Sequence, residues 1–82
     1  MEEIRIDTDF IKLEQFLKFA GAALTGGQAK NMVISGAVSV NGEICYERGK
    51  KLFGGEIITA RAGKAEKEVF KVIKDDIKKD IR

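Results

Sequence analysis

The groups that could do chemistry in this chain are cations and hydrogen-bond donors. Arg48, Lys50 and Lys51 fall within four residues and make the strongest basic run, with Lys12, Lys18 and Lys30 earlier in the chain. Thr25, Gly26, Gly27, Gln28 and Asn31 lie together around Lys30, and Asn41 follows shortly after. Positive charge and donors held on rigid elements suit an anion such as a phosphate. If a helix opens at Gly26, its free amides and positive dipole end would face outward, and Gly26 and Gly27 have no side chains to keep a phosphate away. Taken alone, the glycines read as a flexible helix entry and each lysine as a solvated surface charge, the commoner state for any one of them. Asn41 reads first as a turn residue before Gly42.

Catalytic chemistry has little support. The single cysteine, Cys45, has no histidine anywhere in the chain to activate it, and the usual cysteine-histidine zinc arrangements are absent for the same reason. The paired acids Glu2-Glu3 and Asp75-Asp76 lie near the two ends and read as solubilising charge. Gly26-Gly27-Gln28-Ala29-Lys30 lacks the spacing and the lysine-hydroxyl ending of a nucleotide P-loop. No enzyme, metal or cofactor is expected.

The elements that must position the cations follow from local pattern. Thr25 is a helix-capping hydroxyl, and Gln28 three residues on has the spacing to reach back to the cap's own amide. Ala29, Met32 and Val33 then recur at helical spacing, with Gln28, Lys30, Asn31 and Ser35 on the other side. Gly36 offers the left-handed backbone that ends a helix, Val38 and Val40 alternate with Ser39, and Asn41-Gly42 is a strong hairpin-turn dipeptide.

Before this stretch, Ile4-Arg5-Ile6-Asp7 alternates as a short edge strand. A first helix is expected from Ile11 to about Ala20, its apolar stripe made by Leu13, Phe16, Leu17, Ala20 and Leu24 and its polar side by Lys12, Gln15 and Lys18. Phe10 and Phe19 fall off the stripe and are expected to pack in the core rather than lie exposed. After the turn, Glu43 to Tyr46 returns as the second hairpin arm, Glu47 to Lys51 makes a basic loop, and Gly54-Gly55 turns the chain into a strand over Glu56 to Ala60. Glu68 to Ile73 is ambiguous between strand and helix, with a strand favoured, followed by a charged extension over about 74–82. The fold class is therefore α+β: two short packed helices against a small, mostly antiparallel curled sheet, with an extra N-terminal strand, a C-terminal strand and a charged tail.

At 82 residues the chain is expected to be a single domain with a small core. The lone cysteine, the acidic start and the lack of a long apolar run fit a soluble cytoplasmic protein with no membrane segment. The net charge of +2 is too small to argue for nucleic acid by itself, so its distribution matters more. Residues 1–14 carry five acids against two bases, whereas residues 25–64 carry six bases against three acids.

The ordered run Thr25 to Gly42, with Ala29-Lys30 in its helix and Val33-Ile34-Ser35-Gly36-Ala37-Val38-Ser39-Val40-Asn41-Gly42 at its end, resembles the S-four RNA-binding domain, also called the alpha-L motif. The resemblance extends back to Lys12-Leu13-Glu14-Gln15-Phe16-Leu17, where that family has its first helix. It extends forward to Gly55-Glu56-Ile57-Ile58, where the family usually has Gly-Asp-x-Ile. It covers roughly residues 11–59, and the whole chain is similar to small stand-alone bacterial members. The resemblance implies a non-catalytic RNA-binding module acting on structured ribosomal or transfer RNA, with the ribosome as a partner. Its contact face would be the second helix and the Arg48 to Lys51 loop. Many members of the family carry an arginine contact where this chain has Gly26, and the resemblance then assigns compensation to Lys12, Lys18, Arg48, Lys50 and Lys51. The competing class is a protein-interaction module that docks a partner through a sheet edge or the Phe10 and Phe19 surface.

Overall fold

The computed structural model describes residues 1–61 and 67–75. In chain order these form β1 (Glu2–Ile6), β2 (Ile11–Lys12), α1 (Leu13–Phe19), α2 (Gly26–Ile34), β3 (Val38–Val40), β4 (Glu43–Ile44), β5 (Lys51–Leu52), β6 (Ile57–Arg61) and β7 (Lys67–Lys74). The larger sheet has the order β1-β7-β6-β3-β4, and β2 and β5 form a separate two-stranded ribbon. Among the described residues only the β1–β7 pairing is parallel. The α+β architecture and the mostly antiparallel sheet are those the sequence predicts, with the N-terminal strand at one edge.

Alternation decides the two faces of the sheet. Val38, Val40, Ile58, Ala60, Phe70 and Val72 all point inward and are buried. Ser39, Thr59 and Val69 occupy the alternate positions, lie opposite one another across the three central strands, and face outward. The helices cover the inner face with Leu13, Phe16 and Leu17 from α1 and Ala29, Met32 and Val33 from α2. Phe16 meets Phe70 edge-on at 6.0 Å between ring centroids and 83°, a geometry that adds about 0.5–1.5 kcal/mol to the burial of the rings. The strand alternative for residues 68–73 wins because Phe70 and Val72 then share one buried face. The charged tail expected after Lys74 falls largely outside the described residues.

Four local expectations need correction. Ile11 and Lys12 pair with Leu52 and Lys51 as strand instead of opening the helix, so α1 starts at Leu13 with Lys12 extended at φ −76°, ψ 149°. Leu24 is not part of the α1 stripe: the amides of Ala22 and Ala23 both donate to the Leu17 carbonyl, at 2.9 and 3.0 Å. That turn breaks the helical period, and Leu24 is left 86% exposed. Phe19 is 62% exposed rather than packed in the core, because Leu13, Phe16 and Leu17 already fill the inward face of a helix only seven residues long. Phe10 is half-buried, against Phe53. The second hairpin arm is shorter than predicted, ending at Ile44, and beyond it the Tyr46 side chain lies over Gly36, its hydroxyl 3.4 Å from where a Cβ would stand.

Two turns are built as their residues require. Asn41 and Gly42 both have positive φ, +53° and +88°, the two-residue hairpin conformation that Asn-Gly favours. At Gly54, φ is +130° and a Cβ would stand 2.8 Å from the Lys74 Cβ, so no other residue fits without movement. The Glu56 carboxylate accepts from the amides of Phe53 and Gly54, each at 2.8 Å, and closes that turn.

Candidate nucleic-acid interface

The ribbon of β2 and β5 gathers the first group of cations. Lys12 and Lys51 are direct cross-strand partners. The amide of Leu13 donates to the Lys50 carbonyl at 2.8 Å, and that of Glu14 donates to the Arg48 carbonyl at 3.0 Å. These amides open α1 and have no partner within the helix, so the loop satisfies them and is fixed in return. Lys12, Arg48, Lys50 and Lys51 are thereby tethered to the start of one helix, although Lys12 is separated from the others by most of the motif. The Lys51 ammonium sits 4.7 Å from the centre of the Phe10 ring, a cation-π contact. Phe10 in turn lies 6.1 Å from Phe53, which is itself exposed.

None of these four cations is in an ion pair: among the described residues the only one is Lys74 to Asp9, at 4.0 Å. Glu47, next to Arg48, is the acid nearest the group along the chain, and Glu14 lies two residues from Lys12. Lys12 and Lys51 thus stand together on the ribbon beside the Phe10 ring, whereas Lys50 lines a pocket with Glu43 and Glu47.

The α2 candidates form a second group. Thr25 Oγ accepts from the Gln28 amide at 3.0 Å, as the capping pattern predicts. The Gln28 side chain, however, accepts from the amide of Leu24 at 2.8 Å rather than from that of Thr25; the reciprocal bond is made one residue earlier. Gly26 and Gly27 are exposed, and nothing lies within 4 Å of where a Cβ would stand at Gly26. Asn31 shares with Thr25, Gly27, Gln28 and Ser35 the wall of a groove of about 830 Å³. Lys30 is exposed about 100° further round the helix from Asn31. It shares none of the strand pairings or hydrogen bonds that gather Lys12, Arg48, Lys50 and Lys51.

Lys18 and Asn41 stand elsewhere. Lys18 lines a separate cleft between β1 and α1 with Arg5, Ile6, Ile11 and Phe19. Asn41 Oδ1 accepts from the Ile57 amide at 2.9 Å while its own amide donates to the Ile57 carbonyl at 2.8 Å. It clamps the hairpin turn to the start of β6, which is the turn role read from its position before Gly42.

Arg61 lies outside the residues expected from the sequence to form the site. This residue lines the same groove as Asn31 and Gln28, held there because its amide donates to the Ala37 carbonyl at 2.9 Å. The expected strand stopped at Ala60, one residue short. Continuing its alternation by one step puts Arg61 on the outer face beside Thr59, and that was the available signal. Among the described residues no cluster of acids or cysteine is placed to hold a metal ion, and no helix is long and apolar enough to cross a membrane.

Comparison with known proteins places this arrangement. Residues 4–69 match the S4 domain family. The "Probable ribosome maturation protein RlbA" of Bacillus subtilis (strain 168) is 44% identical over 55 residues, covering 67% of this chain and 78% of that protein. Among solved structures, the trimeric Heat Shock Protein 15 of Vibrio cholerae is similar at a TM-score of 0.70 and 28% identity over 82% of this chain. The match spans 66% of that protein, so this chain accounts for just under two thirds of it. The helices and strands that gather the cations fall within the matched residues, and the chain belongs to the S4 domain family.

Proposed function

We propose that this protein is a non-catalytic RNA-binding module that recognises structured RNA, with ribosomal RNA favoured over transfer RNA. The observation that carries the reading is the joining of Lys12, Arg48, Lys50 and Lys51 at the start of α1 with no ion pair among them. Phosphates supply most of the affinity in such complexes, and folded RNA is read largely by shape, so a rigid cation cluster is the main requirement. The preference for ribosomal RNA comes from the similarity to a ribosome maturation protein. The chain acts as one domain in the cytoplasm, with the ribosome or its precursors as partner. Lys18, Lys30 and the exposed start of α2 at Thr25, Gly26 and Gly27 contribute at the margins of the contact face. Asn41 serves the fold.

Four phosphate contacts give a slope of log affinity against log salt of about −2.8 to −3.6. Titration of purified bacterial ribosomal RNA at several salt concentrations measures it. The variant carrying alanine at Lys12, Arg48, Lys50 and Lys51 is expected to lose most of that slope. Binding that is absent at low salt, or equal in the variant, would count against the reading. So would a complex that survives high salt and is broken by Phe19→Asp alone, which would point to the cleft between β1 and α1 as a protein-docking surface.

A further inference from the structure

Arg61 and Lys67 are direct cross-strand partners at the end of the β6–β7 pairing. Both are exposed, and the alternation that buries Ile58 and Ala60 puts them together on the outer face of the sheet. Like charges placed directly opposite in an antiparallel pair are destabilising, and nothing among the described residues relieves this one. Neither side chain is in an ion pair among the described residues. Glu68, which follows Lys67, is paired with the buried Ala60 and so belongs to the opposite face; Glu66, which precedes it, lies outside the described residues.

The Arg61 side borders the α2 groove, whose other wall offers Gln28, Asn31 and Ser35. Gln28 Oε1 is taken by the Leu24 amide, and the Ser35 hydroxyl donates to the Met32 carbonyl at 3.1 Å. The Asn31 carboxamide and the Arg61 guanidinium make no hydrogen bond among the described residues. One cation, Arg61, and one free amide donor, Asn31, therefore meet at this groove, with Lys67 beside Arg61 across the strand pair. The first turn of α2, Gly26-Gly27-Gln28-Ala29, carries no charge of its own. The positive charge on this side of the molecule comes from the sheet.

We infer that the groove between the side of α2 and the end of β6 is a second phosphate-binding site, in which Arg61 and Lys67 share one backbone phosphate or two successive ones and Asn31 donates to the same segment. A guanidinium fork binds phosphate oxygens bidentately, the ammonium adds a point charge, and a bound anion removes the repulsion between them. The inference rests on the RNA-binding reading and extends it: the RNA backbone is held at two separate places, the β2–β5 patch and this groove.

The experiment is the same salt titration of the full chain with purified bacterial ribosomal RNA, joined to thermal unfolding of each protein. The R61A/K67A variant is expected to reduce the magnitude of the slope by about 0.7–0.9 if the two cations share one phosphate and by about 1.4–1.8 if they hold two, with an unfolding midpoint equal to or above that of the unsubstituted chain. K67E is expected to bind more weakly and melt higher, because it replaces a repulsive pair with an attractive one. A merely structural role would move affinity and midpoint down together. An unchanged slope in R61A/K67A and in K67E, alongside a reduced slope in the K12A/R48A/K50A/K51A variant, would overturn the second site and leave RNA binding standing. Absence of RNA binding by the unsubstituted chain would overturn both. Should R61A/K67A fail to fold, K67E and N31A decide: retention of full affinity by both overturns the site, and loss by either with an intact midpoint supports it.

Discussion

Replacing Asn41 separates a turn role from an RNA contact, because the structure gives this residue two structural duties and no ion or ring partner. Its side chain accepts from the Ile57 amide at 2.9 Å, and a hydrogen bond of this kind contributes about 0.5–1.5 kcal/mol net. Its backbone is left-handed at φ +53°, which costs an alanine about 1–2 kcal/mol. Asn41→Ala should therefore cost about 1.5–3.5 kcal/mol, the sum of both terms. Asn41→Gly loses the acceptor but relaxes the backbone and should cost only about 0.5–1.5 kcal/mol. Asn41→Asp keeps an acceptor and should cost least. Each kcal/mol moves the melting temperature of a domain this small by about 4–8 °C, so thermal unfolding by circular dichroism resolves the three. Binding of ribosomal RNA, measured below the melting range of each variant, should be unchanged. An Asn41→Ala protein that melts like the original and binds RNA several-fold more weakly would refute the assignment and make the residue a contact.

Two further outcomes follow from the geometry around the same elements. Gly54→Ala forces a Cβ to within 2.8 Å of the Lys74 Cβ at φ +130°, so urea unfolding should show a loss of about 1–3 kcal/mol, larger than a surface Gly→Ala change would give. Thr25→Ala removes the acceptor for the Gln28 amide and should cost about 0.5–2 kcal/mol, read by the same unfolding curve, while fraying the start of α2 in amide hydrogen exchange.

Much of the fold was legible because local chemistry and tertiary packing agree. The stretch from Thr25 to Gly42 carries a cap, an amphipathic turn sequence, a stop and a hairpin dipeptide, and each forms where its residues predict. The strand over residues 67–74 was legible through Phe70 and Val72, two positions apart on one face. What sequence could not show was pairing between distant segments. Ile11 and Lys12 have the spacing of a helix start, but Leu52 and Lys51 claim their backbone as strand. Phe19 is apolar and was assigned to the core, yet a helix of seven residues has room inward for only Leu13, Phe16 and Leu17.

The candidate site divides along the same line. Arg48, Lys50 and Lys51 are neighbours in sequence, so their clustering was readable from composition. The arrival of Lys12 beside Lys51 depends on the β2–β5 register, a non-local event. Arg61 was missed because a strand boundary was set one residue early, and its repulsive partner Lys67 becomes visible only once β6 and β7 are aligned. Lys30 was grouped with the rest through its place on the second helix and Lys18 through the polar side of the first, and neither shares the strand pairing and loop contacts that bring the other four together.

The most direct test is amide chemical-shift mapping of the labelled full chain as purified ribosomal RNA fragments are added at low salt. The account predicts that the largest changes fall on Lys12, Leu13 and residues 48–51, fade as salt is raised, and spare the cleft lined by Arg5 and Phe19. Changes concentrated on that cleft, or a spectrum indifferent to RNA, would contradict it.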